Sequence, residues 1–262
     1  MERGTKSALE ELKRLATKAH ADELVGRLRR AAQVLREPVP FEDKLQQADR
    51  RSSLYEPTWA AQDETEAKLL IYNTDSEQSF LDGGKADAVR LSPYFDSGST
   101  VLDFGCGIGR VARFVAPECE RLFAVDISER MLEFASERMA EHHNVTYVRS
   151  HDVVIPEVPS ASVDLVYSFL VLQHVEREDA FLLLEELRRV LRKDGTLFVT
   201  FPNLLADEYL DAFLNYVRHP ETRLPGRARF YTPQEVTRMV EAAGFEAELQ
   251  GDVEILVVAR PR

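Results

Sequence analysis

The stretch TVLDFGCGIGR, residues 100–110, decides the fold of this 262-residue chain. Its first five residues predict a buried strand, and glycines at 105, 107 and 109 follow that strand directly. Glycine tolerates positive φ and lets a ligand approach the backbone, and a helix that begins after such a loop offers free N–H donors. The stretch therefore predicts a strand, a ligand-binding loop and a helix in succession.

The spacing of these glycines separates two kinds of ligand site. Dinucleotide-binding enzymes use GxGxxG, whereas this loop reads GxGxG and places Arg110 where the third dinucleotide glycine would stand. The departure disfavours a nicotinamide-dependent oxidoreductase. A tight turn without any ligand stays open at this point.

Short β-rich runs alternate with helical segments after residue 100, which is typical of a parallel sheet covered by helices on both faces. Further helices are predicted around 111–115, 129–141 and 180–191, and a last one begins at Thr232-Pro233 and ends at Gly244. We predict an α/β, Rossmann-like, doubly wound sheet of seven strands, mostly parallel, with an antiparallel hairpin at its C-terminal end. The predicted strands are 100–104, 121–126, 145–150, 163–170, 196–201, 245–250 and 253–259.

Residues 1–95 are predicted to form an N-terminal helical extension or cap, and residues 96–262 the main domain. Capping-box spacing at Ser7–Glu10 and a leucine and alanine stripe predict a first helix that ends at Pro38 and Pro40. That helix packs on the main domain or on a second subunit, which leaves a homodimer open. Residues 41–95 look helical and polar, interrupted by Gly83-Gly84 and Pro93.

The charge of the chain argues against two classes of partner. The net charge is −12, with +2 in residues 1–50 and −14 in residues 51–262, so the basic surface that nucleic-acid binding requires is missing. No apolar run reaches the 18 to 20 residues of a membrane span, and the first residues are charged where a secretory signal would be apolar. We therefore expect a cytoplasmic protein with no membrane partner.

Metal and disulfide chemistry are not expected either. Cys106 and Cys119 are the two cysteines, and they are too few and too far apart for a disulfide framework or a paired-cysteine metal site. Neither an HxxxH pair nor carboxylates flanking a histidine occur. We therefore predict that activity does not require a metal ion. Activity that is retained in the presence of EDTA would support this prediction.

Two acidic residues follow predicted strands. Asp126 lies 21 residues after Gly105, at the end of the second strand, where an acid can accept hydrogen bonds from both hydroxyls of an adenosine ribose. Asp152 follows the third strand and could accept from an adenine amino group, with Val153 beside the ring. A solvated loop acid is the alternative for Asp152.

Five segments in order and spacing resemble the class I S-adenosylmethionine-dependent methyltransferases, over about residues 97–260. They are VLDFGCGIGR (101–110), AVDIS (124–128), SHDV (150–153), VDLVYSFLVLQHV (163–175) and RVLRKDGTLFVTFPN (189–203). The resemblance implies that S-adenosylmethionine is the cofactor, with S-adenosylhomocysteine as its product. It also implies a cationic cofactor that the negative potential of nearby acids would favour.

The resemblance assigns roles to matching positions. Asp103 would orient the amino end of the cofactor and Asp126 would hold its ribose, while Ser168 and Phe169 would lie by the sulfonium. Met131 either closes over adenine or belongs to the core. The remaining cofactor positions are the loop residues Gly105, Cys106, Gly107 and Gly109 and the adenine-enclosing residues Ile127, Asp152 and Val153.

The acceptor site is less defined by sequence. His174, just past the fourth strand, is a candidate general base, and the alternative is that it caps the next helix or packs on a neighbour. Arginines give residues 218–230 a charge of +3, so Arg227 and Arg229 are candidates for binding an acceptor carboxylate or phosphate, unless surface acids pair with them. Tyr72 and Tyr231, like Trp59, could line the acceptor pocket or belong to the core.

We therefore predict methyl transfer to a small molecule. Oxygen is favoured over nitrogen or carbon by analogy with bacterial enzymes that modify sugars and secondary metabolites, and the FLDGG stretch (80–84) resembles a feature of that group. A C- or N-methyltransferase with a quinone-like or amine acceptor is one alternative. The other is a non-catalytic protein that binds S-adenosylmethionine as a scaffold.

Overall fold

Strand β1 is an inner strand of a seven-stranded sheet in a computed structural model of the chain, which describes Glu42 and residues 55–223 and 226–262. The strand order is β3-β2-β1-β4-β5-β7-β6. The strands are β1 (Thr100–Phe104), β2 (Arg121–Asp126), β3 (Val145–Arg149), β4 (Val163–Ser168), β5 (Leu191–Pro202), β6 (Phe245–Gln250) and β7 (Glu254–Pro261).

Five of these strands run parallel, and the last two form the predicted antiparallel hairpin. β1 pairs in parallel with β2 and β4, β2 with β3, and β4 with β5. β7 pairs antiparallel with both β5 and β6, so it lies between them. The predicted fold class is confirmed. Because the chain turns from one half of the sheet to the other between β1 and β4, a crevice opens at the carboxyl ends of these two strands.

Helices cover both faces of the sheet. Neighbouring strand residues face opposite layers: Val101 and Leu165 pack with one apolar cluster, and Leu102 and Val166 with the other. The α-helices of the described residues are α1 (Glu64–Tyr72), α2 (Glu77–Leu91), α3 (Ala112–Val115), α4 (Glu129–Arg138), α5 (Arg177–Val190), α6 (Asp207–Arg218) and α7 (Pro233–Ala242).

The four helices predicted after β1 correspond to α3, α4, α5 and α7. α7 begins with a full capping box, because the Thr232 side chain accepts from the N–H of Glu235 and the Glu235 carboxylate accepts from the N–H of Thr232. Gly244 follows that helix with φ of 91°. The helix predicted before Pro38 lies outside the described residues. Within the part of the chain that the structure describes, no helix is both long and apolar enough to span a bilayer.

The prediction that Gly83-Gly84 interrupts the helical segment is wrong. Both glycines lie inside α2, which runs unbroken to Leu91. The pair reflects close packing instead, because a Cβ on Gly84 would stand 2.0 Å from the carbonyl oxygen of Arg110. α2 therefore lies directly against the glycine loop after β1, and the absence of a side chain at Gly84 permits that contact.

Candidate active site

A cleft with an empty volume of about 730 Å³ opens at the carboxyl ends of β1, β2 and β4. Its walls combine apolar and aromatic side chains with a few acids, which is typical of small-ligand sites. The lining residues are Tyr55, Trp59, Ile71, Phe104, Gly105, Gly107, Asp126, Ile127, Ser150, Asp152, Phe169, Leu170, Val171, His174, Val175 and Leu183.

The glycine loop forms the floor of this cleft. The N–H groups of Gly105 and Cys106 both donate to the carbonyl oxygen of Val125, at 2.8 and 2.9 Å, which ties the loop to β2. Gly105 has φ of 78°, and a Cβ there would stand 2.2 Å from Cγ2 of Val171. The loop thus needs glycine for both its conformation and its packing.

Asp126 is held at the end of β2 by two backbone donors. Its carboxylate accepts from the N–H of Gly107 and from the N–H of Ser128, both at 2.9 Å, and the residue is 8% exposed. Burial raises the pKa of the Asp126 carboxyl to about 6, although the N–H groups of Ser128 and Gly107 oppose that shift. At neutral pH a buried carboxylate therefore faces the cleft.

A second, smaller cavity of about 320 Å³ lies beside the same loop and shares Ile71, Gly105 and Phe169 with the cleft. Asp103 lines it, and its carboxylate accepts from the hydroxyl of Tyr167 at 2.9 Å. Burial raises the pKa of Asp103 to about 7, and the Tyr167 hydroxyl and the charge of Arg110 lower it in part. Cleft and cavity together provide acidic groups on both sides of the glycine loop.

The loop after β3 supplies a third acid. Asp152 is 5% exposed, lines the cleft and has φ of 57°, a left-handed conformation that fixes the direction of its side chain. Val153 lies buried next to it, outside the residues that line the cleft. Of the three buried aspartates, Asp126 and Asp152 thus line the cleft and Asp103 lines the adjoining cavity.

Comparison with known proteins identifies the family of this site. Residues 102–199 match the family described as "Methyltransferase domain". The chain is also 30% identical, over 153 residues, to a probable S-adenosylmethionine-dependent methyltransferase of Mycolicibacterium smegmatis, covering 58% of this chain and 54% of that protein. The matched region is a class I S-adenosylmethionine-dependent methyltransferase domain.

Other similar proteins share this domain. A malonyl-[acyl-carrier protein] O-methyltransferase of Enterobacter lignolyticus is 38% identical over 152 residues, which are 58% of this chain and 53% of that one. A solved S-adenosylmethionine-dependent methyltransferase from Aquifex aeolicus superposes with a TM-score of 0.56 at 22% identity, covering 77% of this chain and all of that one. The match thus spans about half the length of the two sequence relatives, from Mycolicibacterium smegmatis and Enterobacter lignolyticus.

The cofactor of the methyltransferase domain is S-adenosylmethionine, and the residues present fit it. Its sulfonium and ammonium groups are cationic, and the three buried acids Asp103, Asp126 and Asp152 line the cleft or the adjoining cavity, where their negative potential favours a cation. Asp126 and Asp152 would face the adenosine part and Asp103 the amino-acid end. Gly105 and Gly107 have no side chains, so the glycine loop leaves room for the cofactor between these acids.

Four other predicted cofactor residues differ in position: two line the ligand spaces and two lie outside them. Phe169 lines both spaces and Ile127 the cleft, whereas the Ser168 hydroxyl donates to the carbonyl oxygen of Phe104 at 2.8 Å and joins β4 to β1. Met131 is buried in an apolar cluster with Phe80 and does not line the cleft, so its core alternative describes its position.

Of the two remaining positions in the glycine loop, Cys106 lines one of the two spaces and Gly109 lines neither. Cys106 lines the smaller cavity, and burial keeps the pKa of its thiol well above the usual range, so the thiol stays protonated. Gly109 lines neither space; its N–H donates to the carbonyl oxygen of Cys106 at 2.9 Å and it packs against Met139.

The roof of the cleft comes from residues before β1. Tyr55, Trp59 and Ile71 line the cleft from this side. The Tyr55 hydroxyl donates to the carboxylate of Asp179 and accepts from the N–H of Glu176 at 3.2 Å, which fixes the roof to the start of α5. Sequence reasoning missed Tyr55 and Ile71, because no local pattern reports contacts between residues so far apart in the chain.

His174 lies in the cleft of the methyltransferase domain with a defined tautomer. Its Nδ1 is 2.6 Å from the carbonyl oxygen of Gly226, so Nδ1 carries the proton, and Nε2 accepts from the amide of Gln173 at 3.1 Å. The ring stands edge-on to Trp59, with 4.9 Å between centroids. Burial, and to a lesser extent the charge of Arg229, lowers the pKa of His174 to about 4, so the imidazole is neutral at pH 7.

The two predicted anion-binding arginines occupy different environments. Arg229 forms an ion pair with Glu176 and donates to the carbonyl oxygen of His174 at 2.8 Å, with a side chain that is 10% exposed. This arginine therefore clamps the segment after β4. The guanidinium of Arg227 has no such contacts in residues 55–223 and 226–262, and both arginines line a separate cavity outside the cleft.

Neither predicted tyrosine lines the cleft. Tyr231 is fully buried against Phe201 and beneath the guanidinium of Arg177, 5.2 Å from its ring centre. Tyr72 lies one residue beyond Ile71, with the guanidinium of Arg110 4.4 Å from its ring centre. Both positions match the core or packing alternative. In residues 55–223 and 226–262 no three acidic, histidine or cysteine side chains are grouped as metal ligands.

Proposed function

We propose that the protein methylates a small molecule with S-adenosylmethionine, and that the methyl group is added to an oxygen. The observation that carries the first part is the set of buried acids Asp103, Asp126 and Asp152, which line the cleft and the adjoining cavity at the carboxyl ends of the strands. The division into a cap, residues 1–95, and a methyltransferase domain, residues 96–262, belongs to the same proposal.

When bound, S-adenosylmethionine supplies an activated methyl group on a sulfonium. The residues of the chain hold the reactants in place and keep water away from them. Asp126 and Asp152 hold the polar edge of the ligand, and the roof residues Tyr55, Trp59 and Ile71 cover the cleft from solvent. Holding two reactants in line contributes up to about 7–11 kcal/mol in favourable cases, so positioning alone provides much of the acceleration.

His174 supports an oxygen acceptor. A hydroxyl must lose its proton during methylation, and the cleft is lined by a neutral imidazole whose Nε2 carries a lone pair and accepts a hydrogen bond from the Gln173 amide. Because Nδ1 is already committed to Gly226, the second nitrogen is the one that can take a proton. The similar malonyl-[acyl-carrier protein] enzyme is also named as an O-methyltransferase.

Replacing His174 with asparagine is expected to lower turnover at least tenfold while changing the affinity for S-adenosylhomocysteine less than twofold. Asparagine keeps an N–H donor close to the place of Nδ1 and removes Nε2, so the contact to Gly226 is retained while the base is lost. Steady-state kinetics and calorimetry separate the two effects. His219→Asn, at a side chain that is 55% exposed, is the matched control. An unchanged rate in the His174 variant would remove this residue from the mechanism.

The acceptor atom follows from product analysis. Incubation with S-adenosylmethionine and a panel of hydroxylated, amine and quinone-type acceptors, followed by mass spectrometry and NMR, is expected to give O-methyl products. N- or C-methyl products would replace the oxygen assignment. Binding of the cofactor without turnover of any acceptor would favour the scaffold alternative.

A further inference from the structure

A separate cavity, with about 1200 Å³ of empty volume, lies between the start of α5, helix α6, Arg223 and residues 227–230. It begins at Glu176, the residue after Val175, which lines the cofactor cleft. Arg229 and Glu176 line this cavity and form an ion pair, and Arg229 also donates to the carbonyl oxygen of His174, which lines the cleft. The cavity is therefore a neighbour of the cleft on the side of His174.

One wall of this cavity is aromatic and incompletely covered. Phe230 is buried, and the rings of Tyr209, Phe213 and Tyr216 surround it with centroids 5.9 to 6.3 Å away. Helix α6, which carries those three rings, has no buried residue, and Phe213 and Val217 are 40% and 51% exposed. Apolar area of this kind gains free energy when a ligand covers it.

The other wall is cationic. The lining contains four arginines and two glutamates, a local charge of +2 in a chain of −12. Arg229 is committed to Glu176, and Arg223 donates through Nε to the carbonyl oxygen of Tyr216 at 2.7 Å. Within residues 55–223 and 226–262 no hydrogen bond or ion pair engages the guanidinium of Arg227. Arg227 and the outer nitrogens of Arg223 can therefore bind an anion.

We propose that this cavity binds an amphipathic organic anion, with its apolar or aromatic body against Phe213, Tyr216 and Phe230 and its negative group on Arg223 and Arg227. Resting on the proposed function, the ligand is the part of the methyl acceptor that lies away from the methylated atom. The anion-binding pair is thus Arg223 and Arg227, and not Arg227 and Arg229 as the sequence suggested.

Two probes with one carbon skeleton test this proposal on the full chain: 1-anilinonaphthalene-8-sulfonate, which is an anion, and N-phenyl-1-naphthylamine, which is neutral. Fluorescence titration is expected to show one sulfonate site whose Kd rises about tenfold in Arg227→Gln, because a charge-assisted contact is lost. The Kd of the neutral probe should stay within twofold. Phe213→Ala, at a partly exposed position, should weaken both probes.

Arg218→Gln is the matched control, because Arg218 is exposed at the end of α6 and does not line the cavity. The proposal is overturned if Arg218→Gln and Arg227→Gln weaken the sulfonate equally, or if neither does. It is also overturned if S-adenosylhomocysteine displaces the sulfonate, since that probe would then occupy the cofactor cleft. Failure of S-adenosylhomocysteine to bind, with the sulfonate behaving as expected, would instead count against the proposed function alone.

Discussion

Replacing Asp126 with asparagine is expected to weaken S-adenosylhomocysteine binding by about 10- to 100-fold, the effect of losing a buried charge-assisted hydrogen bond. The two carboxylate oxygens of Asp126 accept from the N–H groups of Gly107 and Ser128, and both still have a lone pair for a ribose hydroxyl. An amide nitrogen at this place would face a donor and could accept nothing. The variant therefore loses the ligand contact and one anchor of the glycine loop, and calorimetry measures the result.

The same carboxyl predicts how affinity depends on pH. The ionised form binds the cofactor, so affinity is full above the pKa of Asp126, about 6, and is lost as pH falls through that value. At pH 5 the Kd is expected to be roughly tenfold higher than at pH 8, because about nine in ten Asp126 carboxyls would carry a proton. Asp103, whose pKa of about 7 is also raised by burial, acts in the same direction.

Asp194→Asn is the matched control for Asp126→Asn, because Asp194 is exposed at the start of β5 and lines neither the cleft nor the smaller cavity. The control should keep both the affinity and its pH dependence. Thermal unfolding of each variant shows whether the fold is retained. Equal affinities for wild type and a folded Asp126→Asn variant would contradict the ribose-binding role of Asp126.

Replacing Gly84 with alanine is expected to destabilise the fold by about 2 kcal/mol and to lower Tm by roughly 4–8 °C. The added Cβ would stand 2.0 Å from the carbonyl oxygen of Arg110, and this oxygen belongs to backbone that is fixed by the glycine loop. The overlap outweighs the gain of up to about 1 kcal/mol that alanine brings inside a helix. Because α2 would be pushed away from the loop, cofactor affinity should fall as well.

The neighbouring glycine provides the control for this change. A Cβ on Gly83 would meet the hydroxyl oxygen of Tyr72 at 2.2 Å and two of its ring carbons at 2.5 and 2.8 Å, which are the outer atoms of a half-buried side chain and not backbone, so we expect this ring to shift. Gly83→Ala should therefore change stability by less than about 1 kcal/mol, although it has the same helix propensity. Thermal denaturation of the two variants decides the matter: equal Tm values would show that α2 does not need glycine to reach the loop.

Local patterns in the sequence predict those parts of the site that come from strand ends. The run before Gly105 and the acids at 126 and 152 are found because each cleft residue lies within three residues of the end of a predicted strand. The roof could not be predicted in the same way, since Tyr55 meets Asp179 across 124 residues of sequence. Likewise Gly84 resembles a helix interruption in the sequence, and only its contact with Arg110 explains it.

The arginines show the same limit. A run of positive charges near the site predicts anion binding, but it does not reveal which arginine is already paired. Glu176 pairs with Arg229, and this ion pair lowers the pKa of the Glu176 carboxyl. Which arginine pairs with Glu176 depends on how the loop after β4 packs on residues 226–229, and that packing follows from the whole fold.

The most direct test uses Trp59, which is the single tryptophan of the chain and lines the cofactor cleft beside His174. Titration of the full chain with S-adenosylhomocysteine is expected to change its fluorescence in a saturable manner, with one ligand per chain, while NAD changes nothing. No saturable response to S-adenosylhomocysteine, together with no heat of binding by calorimetry, would contradict the assignment of this cleft to the cofactor.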